Sequence, residues 1–168
     1  NSTNLLEGWF NEVGTDIEWQ TAKFTPTADT GPIADKTTGT GNFIYVESSF
    51  EGEGFPSKLA QVVSPCFDIS LLSNPSLEFW YHMQSDREPE GDRMGSLAVD
   101  VYDGVWHEAV WTIAGHQGTD WIRKTISLNG FNDILKLRFS VVTGDFQTSD
   151  VAIDDVKVFN GPLIDAEI

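Results

Sequence analysis

Cysteine is almost absent from this sequence. Cys66 is the only one in 168 residues, so no disulfide can close within the chain and a cysteine-built zinc centre is excluded. The simplest reading of Cys66 is a small buried apolar side chain. Positive charge is scarce too. Ten Lys and Arg stand against 26 Asp and Glu, a formal net charge of −16. Nucleic-acid phosphates would be repelled, and so would an anionic membrane surface. No apolar run approaches the roughly 20 residues of a membrane helix, so membrane insertion is not expected. Helical periodicity is missing: no segment keeps apolar residues at i, i+3, i+4 and i+7 over three turns. No repeat of 20–50 residues is visible, which sets aside propellers and solenoids. The chain starts at Asn1 without an initiator Met or a signal peptide, as expected of a processed product or an excised piece. Asn1-Ser2-Thr3 fits a glycosylation sequon, which matters only in a secretory eukaryotic chain.

What is present points to a folded β protein. Hydrophobic residues make up 40% and aromatics 12%, which excludes disorder. The length suits one domain, and a chain of this size hides about 70% of its unfolded surface. Leu97, Val99 and Val101 alternate with Ala98, Asp100 and Tyr102. Ile122, Lys124, Ile126 and Leu128 alternate with Arg123, Thr125 and Ser127. Leu135, Leu137, Phe139 and Val141 alternate with Lys136, Arg138 and Ser140. Period two means one packed face and one wet face. Leu77 to Met83 carries large residues on both faces and reads as a more fully covered strand. Asp103-Gly104 reads as a tight hairpin, with further breaks at 115–118 and Asn129-Gly130. Many short strands, regular turns and no helices predict an all-β, antiparallel β-sandwich of two packed sheets. One domain is expected over 1–160, with 161–168 as a tail or the start of a linker.

Two stretches break the rhythm. Residues 47–58 are rich in Gly and Ser with Phe50 and Phe55 embedded, and residues 84–95 are highly charged. Both read as exposed loops on a rigid sheet, where binding residues tend to sit. Catalytic patterns fail in turn. His107-Glu108 begins like a zinc-protease helix, but position 111 is Trp111, not a second His. Gly95-Ser96-Leu97 lacks the second Gly of a nucleophile elbow, and no Gly-rich phosphate loop opens a helix. The 26 acidic residues contain no spacing that selects a glycosidase pair. No enzymatic role is expected.

Asp150, Asp154 and Asp155 border and occupy a strand at Val151–Val156. Adjacent aspartates on a strand point to opposite faces, so at least one turns inward and needs a partner. A hard cation such as Ca²⁺ is one solution; backbone amides, or an arginine such as Arg138, are the other.

The motifs run in a recognisable order. They are Asp16-Ile17-Glu18-Trp19, Thr30-Gly31-Pro32, Asp35-Lys36-Thr37, Gly41-Asn42-Phe43, Ser64-Pro65, Phe79-Trp80-Tyr81-His82-Met83 and Gly95-Ser96-Leu97. Trp111, Gly115-His116-Gln117-Gly118 with Trp121, and Asp150-Val151-Ala152-Ile153-Asp154-Asp155-Val156 complete the series. Together they resemble the MAM domain, named for meprin, neuropilin and a receptor tyrosine phosphatase. The resemblance implies a jelly-roll sandwich outside the cell that works in adhesion or partner recognition. Some members hold a structural cation, which points here to Asp35, Asp154 and Asp155, with calcium as the expected ion. The family usually carries a Phe-Glu pair just before the point where this chain begins. Animal members have paired cysteines, replaced here around Leu6-Glu7-Gly8-Trp9 and Ser76-Leu77, and the usual Asp-His is Asp35-Lys36. These departures favour a bacterial accessory module, secreted beside the catalytic domain of a parent protein.

Two partners then compete: a polysaccharide and a cell-surface protein. Sugar binding in sandwiches relies on exposed aromatic platforms with a few polar groups. Most of the six tryptophans sit at family positions and are expected in the core. Phe50, Phe55 and Trp106 are the platform candidates, with Arg87 and Arg93 as cationic contacts; Arg123 and Lys124 are further cationic exceptions. A polyanionic glycan would be repelled by the net charge unless a local basic patch intervenes.

Overall fold

The computed structural model describes residues 5, 8–85 and 93–162. They form eleven strands and, among the described residues, no α-helix: β1 (Phe10–Asn11), β2 (Trp19–Ala22), β3 (Phe43–Val46), β4 (Leu59–Val63), β5 (Phe67–Asp68), β6 (Pro75–Met83), β7 (Ser96–Tyr102), β8 (Trp106–Ala114), β9 (Ile122–Ser127), β10 (Ile134–Val142) and β11 (Val151–Asn160). The first sheet runs β1-β4-β10-β7-β8, with β5 beside the start of β10. The second runs β2-β3-β11-β6-β9. Paired strands are antiparallel throughout both sheets. The two sheets pack face to face, the sandwich that the alternation predicted and, in its jelly-roll form, the one that the resemblance implied.

Period two explains the core. Leu97, Val99, Val101, Leu135, Leu137, Phe139 and Val141 are almost wholly buried from the first sheet, and Leu77, Phe79, Val151 and Ile153 meet them from the second. Phe79 lies edge-on to Phe139 across the interface, centroids 5.0 Å apart at 81°, and edge-on to Trp111 at 5.6 Å. Such pairs add about 0.5–1.5 kcal/mol each beyond area burial. β6 lies inside its sheet, between β11 and the edge strand β9, and is covered on both faces; only Trp80 on it is half-buried. The loop between β2 and β3 covers much of its outer side. There Trp121 packs on Phe43 at 5.7 Å and donates Nε1–H to the Ala34 carbonyl at 3.1 Å.

Cys66 departs from expectation: it is exposed. Phe67 turns inward from the short β5, and strand alternation therefore sends its neighbours Cys66 and Asp68 outward.

Candidate functional site

The aspartates were expected to gather around an ion; the fold sets Asp35, Asp154 and Asp155 against one stretch of backbone, residues 35–41. Their carboxylates clasp the β2–β3 loop. Asp35 accepts hydrogen bonds from the backbone N–H of Thr38 (2.8 Å), Gly41 (2.7 Å) and Thr37 (3.2 Å), and from the Thr38 hydroxyl. These bonds hold its pKa below the ordinary aspartate range. Asp154 accepts from the N–H of Lys36 and of Asp155, each at 2.8 Å. Asp155 accepts from the Thr37 hydroxyl. β11 bulges here, and Asp155 takes a positive φ of 50°. Among the described residues, no three His, Cys, Asp or Glu side chains converge as metal ligands. A cleft of about 460 Å³ between Leu5, Trp9, Phe43, Ile44 and Val156 opens beside Asp154 and Asp155.

The inward aspartate is Asp150. It is fully buried, and its Oδ1 accepts from the Ser48 N–H and hydroxyl, both at 2.8 Å. Among the described residues, its Oδ2 has no hydrogen-bond partner. Desolvation, reinforced by the Glu47 charge, pushes its pKa up to about 7. Its own N–H donates to the Thr30 hydroxyl, and Ser149 N–H donates to the Ser48 hydroxyl. Asp150 thus ties three connections together at one end of the sandwich.

The platform candidates divide between the two ends. Phe55 meets Phe146 at 6.1 Å, and the Arg93 guanidinium lies over Phe146 at 5.1 Å. Phe50, on the same loop, is 64% exposed. These loops can approach only because Gly95 and Gly144 lack side chains. A Cβ on Gly144 would lie 1.7 Å from the Arg93 carbonyl oxygen, and one on Gly95 2.0 Å from that of Val142. Arg87 lies outside the described residues. Trp106 sits at the far end of β7–β8, about 20 Å away at 3.3 Å per strand residue.

Trp106 occupies the most developed surface of the first sheet. Directly paired antiparallel residues share a face, so Arg138↔Asp100, Tyr102↔Trp106 and Ser140↔Gln61 all project outward. The Arg138 guanidinium lies 4.1 Å from the Trp106 ring centroid. Its Nε–H donates to Asp100 at 2.7 Å, while Nη1 and Nη2 reach Glu12 at 3.3 Å and Glu108 at 3.4 Å. Asp100, 4% exposed, also accepts from the Ala109 N–H at 2.7 Å and the Ser140 hydroxyl at 3.0 Å. Tyr102 flanks Trp106 at 5.2 Å. Alternation placed Asp100 and Arg138 on a wet face, but the fold covers both. Their one sequence signal is opposite charges on neighbouring alternating strands, which says nothing of burial.

The outer face of the second sheet carries a row from Asp154 through Trp80 to Arg123 on adjacent strands. Lys36 extends over Trp80, and Glu78 pairs with Lys157 at 2.7 Å. The histidines have structural partners. Buried His82 approaches the Thr119 carbonyl through Nε2 at 3.0 Å, and desolvation lowers its pKa. His107 bridges to Asp103 at 2.8 Å, and His116 accepts the Ser85 N–H.

With this geometry in place, three comparisons bear on identity. The family description "MAM domain, meprin/A5/mu" matches residues 2–162. Neuropilin-1a of Danio rerio is 31% identical over 158 residues, covering 91% of this chain and 16% of that protein. The chain spans about a sixth to a fifth of the curated relatives it matches. Among solved structures, the K1 cleaved adhesin domain of Lys-gingipain from Porphyromonas gingivalis W83 overlays with a TM-score of 0.59 at 15% identity, covering 96% of this chain and 95% of that one. TmCBM61 in complex with beta-1,4-galactotriose overlays at 0.56 with 15% identity, covering 92% and 90%. At such identities the overlays concern the fold.

Proposed function

The chain belongs to the MAM domain family, and from that premise we propose that it is a non-catalytic, extracellular binding module that recognises polysaccharide beside the hydrolase of a larger secreted protein. The observation that carries this reading is the mounting of Trp106. Arg138 holds one side of the indole, and three carboxylates hold Arg138. A pre-set aromatic plate binds a sugar face with little ordering cost. Tyr102 flanks the plate at an inclination of 56°, and the exposed Glu108 offers hydroxyl-directed hydrogen-bond acceptors.

Titration against a panel of neutral plant and algal polysaccharides tests the reading, with Trp106→Ala and Phe55→Ala side by side. Wild type and Phe55→Ala bind, and Trp106→Ala loses binding. Retention by Trp106→Ala overturns the assignment. No glycan retained by wild type, together with concentration-dependent dimerisation, supports a protein-contact module instead; Phe24 and Ile33, 63% and 92% exposed, would then be the first side chains to test.

A structural calcium is a separate proposal, resting on Asp35, Asp154 and Asp155. Carboxylate oxygens suit a hard cation. Burial first, then the Asp155 and Asp35 charges, raise the Asp154 pKa, and a cation would relieve that repulsion. The fit is incomplete, since the three carboxylates already accept loop N–H and O–H groups. A bound ion at a hundred-fold excess over Kd stabilises by about 2.7 kcal/mol. The melting temperature should therefore fall in chelator; an unchanged curve assigns the bracing to the hydrogen-bonded clasp alone.

A further inference from the structure

We infer that the outer face of the second sheet holds a second subsite, for a single carboxylate-bearing sugar residue, built on Trp80, Lys36 and Arg123. Trp80 is the one side chain of β6 that reaches the surface. Arg123 is its direct cross-strand partner on β9, so the two side chains emerge together. The Lys36 ammonium lies 4.1 Å from the Trp80 ring centroid. Two cations therefore flank one indole on a chain whose net charge is −16.

Neither cation is neutralised at close range among the described residues. The Arg123 side chain is 62% exposed, and its one ion pair is a 3.9 Å approach to Glu78. Glu78 is itself held by Lys157 at 2.7 Å. Lys36 makes no ion pair among the described residues. Asp154 closes the row on the far side of Trp80, with both oxygens accepting main-chain N–H groups. A depression of about 460 Å³, lined by Thr37, Glu78, Trp80, Asp155 and Lys157, lies beside the ring.

The chemistry selects the ligand class. A guanidinium fork binds a carboxylate with charge-assisted hydrogen bonds, and an indole packs against the apolar face of a sugar. The surrounding negative field opposes a polyanion. A lone carboxylate feels mainly the charges within the Debye length of about 8 Å; there Lys36, Arg123 and Lys157 stand beside Glu78, Asp154 and Asp155, whose oxygens already accept the Lys157 ammonium, main-chain N–H groups and the Thr37 hydroxyl. The ligand is thus an isolated uronic acid on an otherwise neutral glycan chain.

Calorimetric titration with a xylo-oligosaccharide bearing one glucuronate, and with the same oligosaccharide reduced to the neutral sugar, tests this. Trp106→Ala serves as the background, so the outcome does not depend on the first face. Binding of the acidic form is expected in that background, weakening at least about tenfold in Arg123→Gln and in Lys36→Met and falling as salt rises from 20 to 500 mM. Equal affinity for the acidic and neutral forms overturns the inference. So does an acidic-form affinity that Arg123→Gln leaves unchanged, or the absence of binding in the Trp106→Ala background. Both substituted side chains lie at the surface, and an unchanged melting temperature verifies that the variants are folded.

Discussion

Asp150 makes the stability of this domain depend on pH in an unusual direction. The perturbation is Asp150→Asn. In the native protein the carboxyl is fully buried, one oxygen has no partner among the described residues, and the pKa rises from 3.8 to about 7. A raised pKa means that the folded state binds a proton more tightly than the unfolded chain. The stability associated with that proton is fully present below about pH 4, declines as pH rises, and is gone above about pH 7. Three pH units at 1.36 kcal/mol each give about 4 kcal/mol between pH 4 and 8. At about 2–4 °C per kcal/mol for a domain of this size, the melting temperature falls by roughly 10 °C over that range. Asn keeps the carbonyl that accepts from Ser48 but leaves an unpartnered NH₂, a cost of about 1–3 kcal/mol. The variant should therefore match or trail wild type at pH 5 and exceed it by about 1–3 kcal/mol at pH 8. Asp35, Asp68, Glu78 and Asp103 shift the other way; their contributions are lost only as pH falls below about 4, outside the window used. Asp154, raised by burial and two neighbouring aspartates, adds to the decline, while His82, lowered by desolvation, opposes it as pH falls below about 6.5; both act in both proteins and cancel in the comparison. Calorimetric melts of both proteins from pH 5 to 8 provide the assay. An identical dependence of melting temperature on pH in wild type and Asp150→Asn refutes the reasoning.

Two further substitutions test the scaffold. Arg138→Ala leaves buried Asp100 without its guanidinium and should cost about 3–5 kcal/mol in urea unfolding; a loss under about 1 kcal/mol would show that water replaces the arginine freely. Gly144→Ala would place a methyl 1.7 Å from the Arg93 carbonyl oxygen. It should separate the β6–β7 and β10–β11 connections, seen as faster amide exchange at Met94 and Gly95, while wild-type exchange rates there would show that the backbone yields without separating.

The sequence by itself determined the class of fold and the composition of the core. Alternation assigned Leu97, Leu137 and Phe139 to an inner face because side chains on a strand must project to alternate sides. The scarcity of cysteine left packing to do the work that disulfides do elsewhere. The resemblance of the ordered motifs led to the family. What alternation cannot report is whether an outer face stays open to water. Asp100 and Arg138 share the pattern of Lys136 and Ser140, yet they are buried because β8 bulges at Ala109 and carries Trp106 across them. Nor can it sort three nearby aspartates. Asp154 and Asp155 clasp a loop more than a hundred positions earlier, whereas Asp150, only four residues before Asp154, is sealed inside with an unpaired oxygen. The platform residues looked like one set on paper and stand at opposite ends of the sheet. Only the pairing of strands distant in sequence settles such matters, because burial and distance belong to the assembled sheets and not to any one strand.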